Sequence, residues 1–184
     1  MENLLADGQV DHADFLARVD ILGSLGRTAL ISKFGEYYRV ANYRSRYTNQ
    51  MVALVMGVPS LHEIFDEKYY LNLEGGILEA LGRMFKGGLK LLVYPMEDEK
   101  SSELLTAKQL EVAPNLRHPY QYLIENGFIQ EIEDFNRAYP KRFSPKVLAK
   151  LQTGDPARES TVPPAVARMI KARGFFSYRG SVTA

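Results

Sequence analysis

The 184-residue sequence contains no cysteine and only three histidines. Without cysteine the chain can form no disulfide, no thiolate metal site and no cysteine nucleophile. An excess of charge of either sign is also lacking, because 23 Lys and Arg residues stand against 22 Asp and Glu residues, for a formal net charge of +1. This balance provides no general attraction to nucleic acid or to an anionic membrane.

A hydrophobic run long enough to cross a bilayer is missing as well. The longest apolar run, Met51 to Val58, has eight residues, whereas a membrane-spanning helix needs about 20. The opening residues MENLLADG do not form the basic segment followed by an apolar segment that is typical of a secretory signal. We therefore expect a soluble, cytoplasmic protein without a membrane span.

Three segments rich in apolar and β-forming residues predict buried strands. They are Thr28 to Ser32 (TALIS), Met51 to Val58 (MVALVMGV) and Leu89 to Tyr94 (LKLLVY). Helical spacing predicts helices at 12–25, with Asp11 as N-cap, and at 36–47. A third helix is expected to begin at a Ser60–Glu63 capping box. A fourth is predicted at 73–85, with Leu78 on its inward side. This alternation predicts an α/β fold, a small three-layer sandwich around a narrow, mainly parallel sheet of about three strands.

No run after Pro95 predicts a further buried strand, and the rest of the sequence has helical signals. Helices are expected from Asn115 to Asn126, after Ser144, and between Pro163-Pro164 and Gly174. We therefore predict an α/β core at 1–96, a helical extension packed on it at 97–174, and an aromatic tail at 175–184. The two edges of so narrow a sheet must be covered by the later helices, by another copy of the chain or by a partner.

Candidate site residues follow from the rule that parallel sheets bind ligands at the carboxyl ends of their strands. Ser32, Lys33, Gly35 and Gly57 are the candidate ligand-binding residues, and Ser32, Lys33, Glu36 and Tyr94 are the catalytic candidates. A hydroxyl, an amine and a carboxylate at one strand-to-helix turn could converge on a phosphate or carbonyl group. The alternative is structural, because serine and glutamate are also ordinary helix caps and dipole partners.

Metal and cofactor signatures do not occur. His12, His62 and His118 lie in separate predicted elements and lack the HExxH spacing of a zinc site. The glycines after Glu74 form neither a GxGxxG nor a GxxxxGK[ST] phosphate loop. The sequence therefore specifies no metal site, and the identity of any cofactor stays open.

Tyrosine and arginine are concentrated in the predicted helix at 36–47, a composition enriched at protein interfaces. Candidate interface residues are Tyr38, Arg39 and Arg46, together with Phe175, Phe176 and Tyr178 of the tail. A solvated helix face is the alternative for the first group, and docking on the chain's own domain is the alternative for the second. A nucleic-acid partner is disfavoured because the net charge is near zero.

Several long segments resemble one bacterial protein family. They are HADFLARVDILGSLG, LISKFGEYYRVANY, MGVPSLHEIFDEKYY, LEGGILEALGRMFK, LKLLVYPM and LEVAPNLRHPYQYLIENGFI. With these segments the chain resembles the C-terminal half of uncharacterised proteins that bear the names TonB-dependent receptor and nicotinate-nucleotide adenylyltransferase. The resemblance implies a further N-terminal domain in those proteins, and hence an exposed edge or face in this chain.

Neither activity in those names is expected here. The adenylyltransferase needs an HxGH-like motif after its first strand, and the receptor needs a signal peptide and many strands with alternating lipid-facing residues. Two hypotheses remain. The first is a non-catalytic α/β module that acts by association, as a homo-oligomer or as a subunit of a larger assembly. The second is an enzyme or sensor for a nucleotide-like or phosphorylated small molecule, with Ser32 and Lys33 on the anion and Glu36 or Tyr94 as acid or base.

Overall fold

The structure is a computed structural model that describes residues 5–6, 9–98, 101–137, 144–153 and 162–178. The chain forms two compact units, one of residues 34–141 and one of residues 1–33 together with 142–184. This division does not coincide with the predicted boundaries at 96 and 174. The first and last segments of the sequence belong to one unit, which sequence order alone does not indicate.

Helices and short strands alternate along the described chain. In order they are β1 (Leu5–Ala6), β2 (Gln9–Val10), α1 (His12–Ser24), α2 (Tyr37–Arg44), β3 (Val52–Gly57), α3 (Val58–Ile64), α4 (Gly76–Phe85), β4 (Leu89–Tyr94), β5 (Met96–Glu97), β6 (Leu104–Leu105), α5 (Arg117–Glu125), β7 (Ile129–Glu131), α6 (Ser144–Thr153) and α7 (Pro164–Arg173). Short 3₁₀ turns occur at Glu67–Tyr70, Pro114–Leu116 and Phe175–Ser177.

A three-stranded parallel sheet forms the centre of the 34–141 unit. Its strand order is β3-β4-β7, with Val52 opposite Leu89 and Leu91 opposite Ile129. The predicted α/β class with a narrow, mainly parallel sheet is therefore confirmed. Strands β3 and β4 lie where the sequence placed them.

The third strand is not the predicted one. Residues 27–35 have no regular structure, and Leu30 and Ile31 are 73% and 59% exposed. The strand predicted at Thr28 to Ser32 is wrong, because β-forming residues make a strand only where a pleated neighbour is present to pack against. Strand β7 was missed because it has three residues, of which only Ile129 is buried.

Both long helices of the sheet connections pack on the same face of the sheet. The crossovers β3-α4-β4 and β4-α5-β7 advance in the same direction, and right-handed crossovers then place α4 and α5 on one side. Leu89, Leu91 and Val93 of β4 are buried on that side. Among the described residues of this unit the sheet therefore has two layers, and the predicted three-layer sandwich is not observed.

The core of the 34–141 unit lies between the sheet and its helices. Two buried tyrosines connect loops to it, since the Tyr70 hydroxyl donates to the Ile64 carbonyl at 2.8 Å and the Tyr120 hydroxyl donates to the Ala107 carbonyl at 2.5 Å. The Tyr120 ring also packs edge-on against Phe65, with 4.8 Å between ring centroids. Burial raises the pKa of both phenols, so they remain protonated donors.

The unit of residues 1–33 and 142–184 has a smaller core of its own, formed by Leu151, Val166 and Ile170. The aromatic residues Phe175, Phe176 and Tyr178 are partly buried against this core. The aromatic cluster therefore docks on its own unit, which was the alternative to an interface role.

Several predicted helix ends are confirmed and two are not. Asp11 caps α1 by accepting from the Ala13 and Asp14 amides, and Gly174 ends α7 with φ +62°. The Ser60–Glu63 capping box is wrong: α3 begins at Val58, with proline in its first turn, because proline fits an early helical position. The helix expected from Asn115 begins at Arg117, and Asn115 lies in the preceding 3₁₀ turn.

Arg44, the last residue of α2, holds two connections together. Its guanidinium donates to the carbonyls of Thr48 at 3.3 Å and Gln50 at 2.9 Å, in the segment before β3. It also donates at 3.1 Å to the Gly87 carbonyl, in the turn before β4. One side chain thus fixes the starts of two neighbouring strands.

We expect Arg44→Met to lower the free energy of unfolding by about 1–3 kcal/mol, because three carbonyls lose a charged donor while the apolar stem is retained. Urea denaturation followed by far-UV circular dichroism measures the change. The matched control is Arg46→Met, since Arg46 is exposed at the next turn; a change of less than about 0.5 kcal/mol is expected there. Equal losses in both variants would contradict the role assigned to Arg44.

Candidate functional site

Two of the predicted site residues meet at the carboxyl edge of the sheet. Gly57 and Tyr94 end β3 and β4 and are register partners. The Tyr94 hydroxyl donates to the Asn136 carbonyl at 3.3 Å, and its ring packs against Phe135 with 5.5 Å between centroids. Tyr94 is thus fixed by the segment that follows β7.

The other predicted site residues lack the geometry that the prediction required. No strand ends at Ser32, and Ser32, Lys33 and Gly35 are exposed on an irregular segment. Glu36 is the N-cap residue of α2, and its carboxylate pairs with Arg39 at 3.1 Å. The convergence expected at a strand-to-helix turn therefore has no basis, because its first strand does not form.

Glu131, at the end of β7, is the charged residue that sequence reasoning missed at this edge. Its carboxylate accepts from the Lys108 amide at 2.9 Å and pairs with the Lys108 ammonium at 3.2 Å. Burial acts to raise the pKa of Glu131, but hydrogen bonds from Thr106 and Lys108 outweigh it, and the pKa is lowered from its ordinary 4.5. No sequence signal marks this residue, since its partners lie more than 20 positions away.

The surroundings of Glu131 do not favour a phosphate ligand. A hollow of about 350 Å³ beside it has three acidic residues in its lining, Glu125, Glu131 and Glu133, and one basic residue, Lys108. An anion would meet more negative than positive groups there. Among the described residues, no three His, Asp or Glu side chains are placed to hold a metal ion.

The most unusual surface of this unit is the side of the sheet that faces away from α4 and α5, here called the open face. Ala53 and Gln130 are exposed on it, and Val55 is 65% exposed. By the strand register it consists of Ala53, Val55 and Gly57 of β3, Lys90, Leu92 and Tyr94 of β4, and Gln130 of β7. Lys90 is its one charged residue, so the open face is largely apolar.

An apolar groove of about 380 Å³ runs between α4 and α5 on the helical side. Leu78 and Tyr122 border it and are 62% and 58% exposed. The prediction that Leu78 faces inward is wrong, because Ile77, Leu81 and Met84 already form the buried stripe of α4. Gly82, between these residues, adds no side chain to the groove.

The tyrosine- and arginine-rich helix contributes less surface than predicted. Tyr38 is only 4% exposed and its ring lies 6.1 Å from that of Tyr70, so it belongs to the core and not to an interface. Helix α2 packs against α4, and Tyr38 and Ala41 are its buried residues. Arg39 and Arg46 are exposed as predicted, and any role they have in an interface stays a prediction.

None of the described helices is both long and apolar enough to cross a lipid bilayer.

We expect Glu131→Gln to destabilise the protein by about 1–2 kcal/mol at pH 7, because the ionised carboxylate accepts stronger hydrogen bonds than an amide. Since the folded protein lowers the pKa below 4.5, the ionised group stabilises the fold above that pH. The stabilisation is lost as the pH falls through the lowered pKa. The difference in melting temperature should therefore vanish in acid.

Thermal melts of both proteins between pH 7 and pH 3 measure this difference. Glu74→Gln is the control, because Glu74 is exposed, and it should leave the melting temperature unchanged across the range. A difference for Glu131→Gln that persists at the lowest pH would contradict the assigned cause.

Comparisons of the chain with protein-family models, with curated proteins and with solved structures found no match. The family resemblance of the sequence segments therefore stays a prediction, and the geometry of the described residues is the basis for any functional proposal.

Proposed function

We propose that the 34–141 unit acts by protein association and not by catalysis, and that the open face is its binding surface. A single observation carries the proposal. Strand β3 has the continuous apolar sequence VALVMG, which is typical of a strand covered on both faces, yet Val55 in its middle is 65% exposed. The composition of β3 is that of a strand buried on both faces, but its own unit packs helices against only one of them.

The energetic argument follows from apolar area. Exposed apolar side chains gain about 25 cal/mol for each Å² removed from water, so covering Val55 and its neighbours is favourable for any partner that fits. Parallel sheets are rarely left open on one side, because the crossover helices usually cover both. An apolar face on a parallel sheet that its own unit covers only in part, at Tyr94, therefore supports a docking function.

The polar groups near the sheet support the same proposal. Glu131 is paired with Lys108, Tyr94 is hydrogen-bonded to Asn136, and Arg44 is bonded to three carbonyls. A general acid or base must reach a substrate proton, and these groups are already engaged within the unit. Association requires only the exposed apolar surface. Catalysis at the carboxyl edge would also require an acid or base that can reach a substrate.

The test is site-specific photo-crosslinking in the cells that produce the protein. A photoreactive amino acid at Val55 should give discrete crosslinked species of higher mass. The same amino acid at Leu71 is the control, because Leu71 is 84% exposed and follows the 3₁₀ turn at Glu67–Tyr70, away from β3 in sequence. The proposal would be abandoned if position 55 gave no product, or only the products seen at position 71.

A further inference from the structure

The outer edge of β3 is a second uncovered feature of the sheet. In the described part of the chain β3 pairs only with β4, so its other edge carries no neighbouring strand. The Val52 amide donates to the Gly88 carbonyl, and alternation along the strand therefore turns the amides of residues 53, 55 and 57 away from β4. These amides are donors for a further strand.

Natural proteins protect such edges with charged residues, prolines or bulges. Strand β3 has none of these, and the sequence has no charged residue from residue 47 through residue 61. The edge is therefore a ready template for strand addition.

The absence of charge favours a second copy of this chain as the added strand. A two-fold axis brings identical surfaces together. A charged edge would therefore lie opposite the same charge in the second copy, and the two would repel. The segment MVALVMG is apolar when followed in either direction, and an antiparallel copy therefore places apolar residues opposite apolar residues at every position. The small net charge of +1 adds little repulsion between two chains.

The direction of the amides also restricts the geometry. Only odd-numbered residues of β3 donate outward, so an antiparallel pair must match odd residues with odd residues, such as Ala53 with Val55 of the copy. Side chains at odd positions lie on the open face, and the open faces of both copies then lie on the same side. The two-fold axis is perpendicular to the sheet.

We propose that two copies of this chain pair through antiparallel β3 strands, forming a continuous six-stranded sheet with order β7-β4-β3-β3-β4-β7. This inference rests on the proposed association function and adds a second interface to it, because the second copy binds the edge of β3 and leaves the open face uncovered. The pairing provides acceptors for the outward amides of Ala53 and Val55 and doubles the width of the open face.

The first experiment measures the mass of the full chain by light scattering over a range of concentrations, with Ala53→Pro and Ala53→Thr as variants. The wild type should have twice the mass of one chain. Proline removes an outward amide without affecting the β4 ladder, and each dimer would lose two hydrogen bonds, so the dissociation constant should rise about tenfold or more. Threonine keeps the amide and should dimerise like the wild type.

A second readout stays informative if the proline variant fails to fold. Because the chain has no cysteine, Val55→Cys introduces a single thiol, and a short bis-maleimide should join it to the same residue of a second copy. Leu71→Cys, at a position that is more exposed than Val55, should give little product.

Three outcomes separate this inference from the proposed function. A wild type that is monomeric at every concentration, while Val55 still crosslinks to a different protein in cells, would overturn the second-copy inference and leave association standing. A dimer unaffected by Ala53→Pro, with equal crosslinking at positions 55 and 71, would place the interface elsewhere and overturn the inference. A monomer without any crosslink at Val55 would overturn both.

Discussion

The structure of the 34–141 unit depends on one topological constraint: both crossovers of its parallel sheet advance in the same direction. Parallel strands need long connections, and right-handed connections that advance together place their helices on one side. Helices α4 and α5 therefore share a layer and bury Leu89, Leu91 and Val93. The same constraint leaves Val55 exposed on the other side.

Polar interactions at both ends of the sheet stabilise the connections of this unit. Arg44 bonds to carbonyls before β3 and before β4, at the amino ends of the strands. Glu131 and Lys108 perform the corresponding role at the carboxyl edge, where they fix the loop before α5 to the end of β7. In the described part of this unit the sheet also presents apolar surface on its open face and an edge of β3 with no neighbouring strand, and such features mediate association.

Local sequence signals predicted those elements whose stabilisation is local. The N-cap at Asp11 and the left-handed end at Gly174 depend on neighbouring residues, and both were predicted correctly. Strand β4 was predicted because its apolar run is long and bounded by glycine and proline. The strand predicted at Thr28 to Ser32 failed, and β7 was missed, because strand formation depends on a neighbour that is remote in sequence. The role of Glu131 at the carboxyl edge was missed because its partners Thr106 and Lys108 are also remote in sequence.

The sequence by itself determined the fold class, the positions of β3 and β4 and most helices, since hydrophobic periodicity and capping act over a few residues. Only the tertiary structure decided which side of β3 is covered, because an apolar run indicates that burial is favourable and does not indicate what provides it. The run MVALVMGV is typical of a strand buried on both faces. The crossover direction of the sheet, however, places helices on only one side of it. The side of β3 without helices is the open face, on which the proposed function rests.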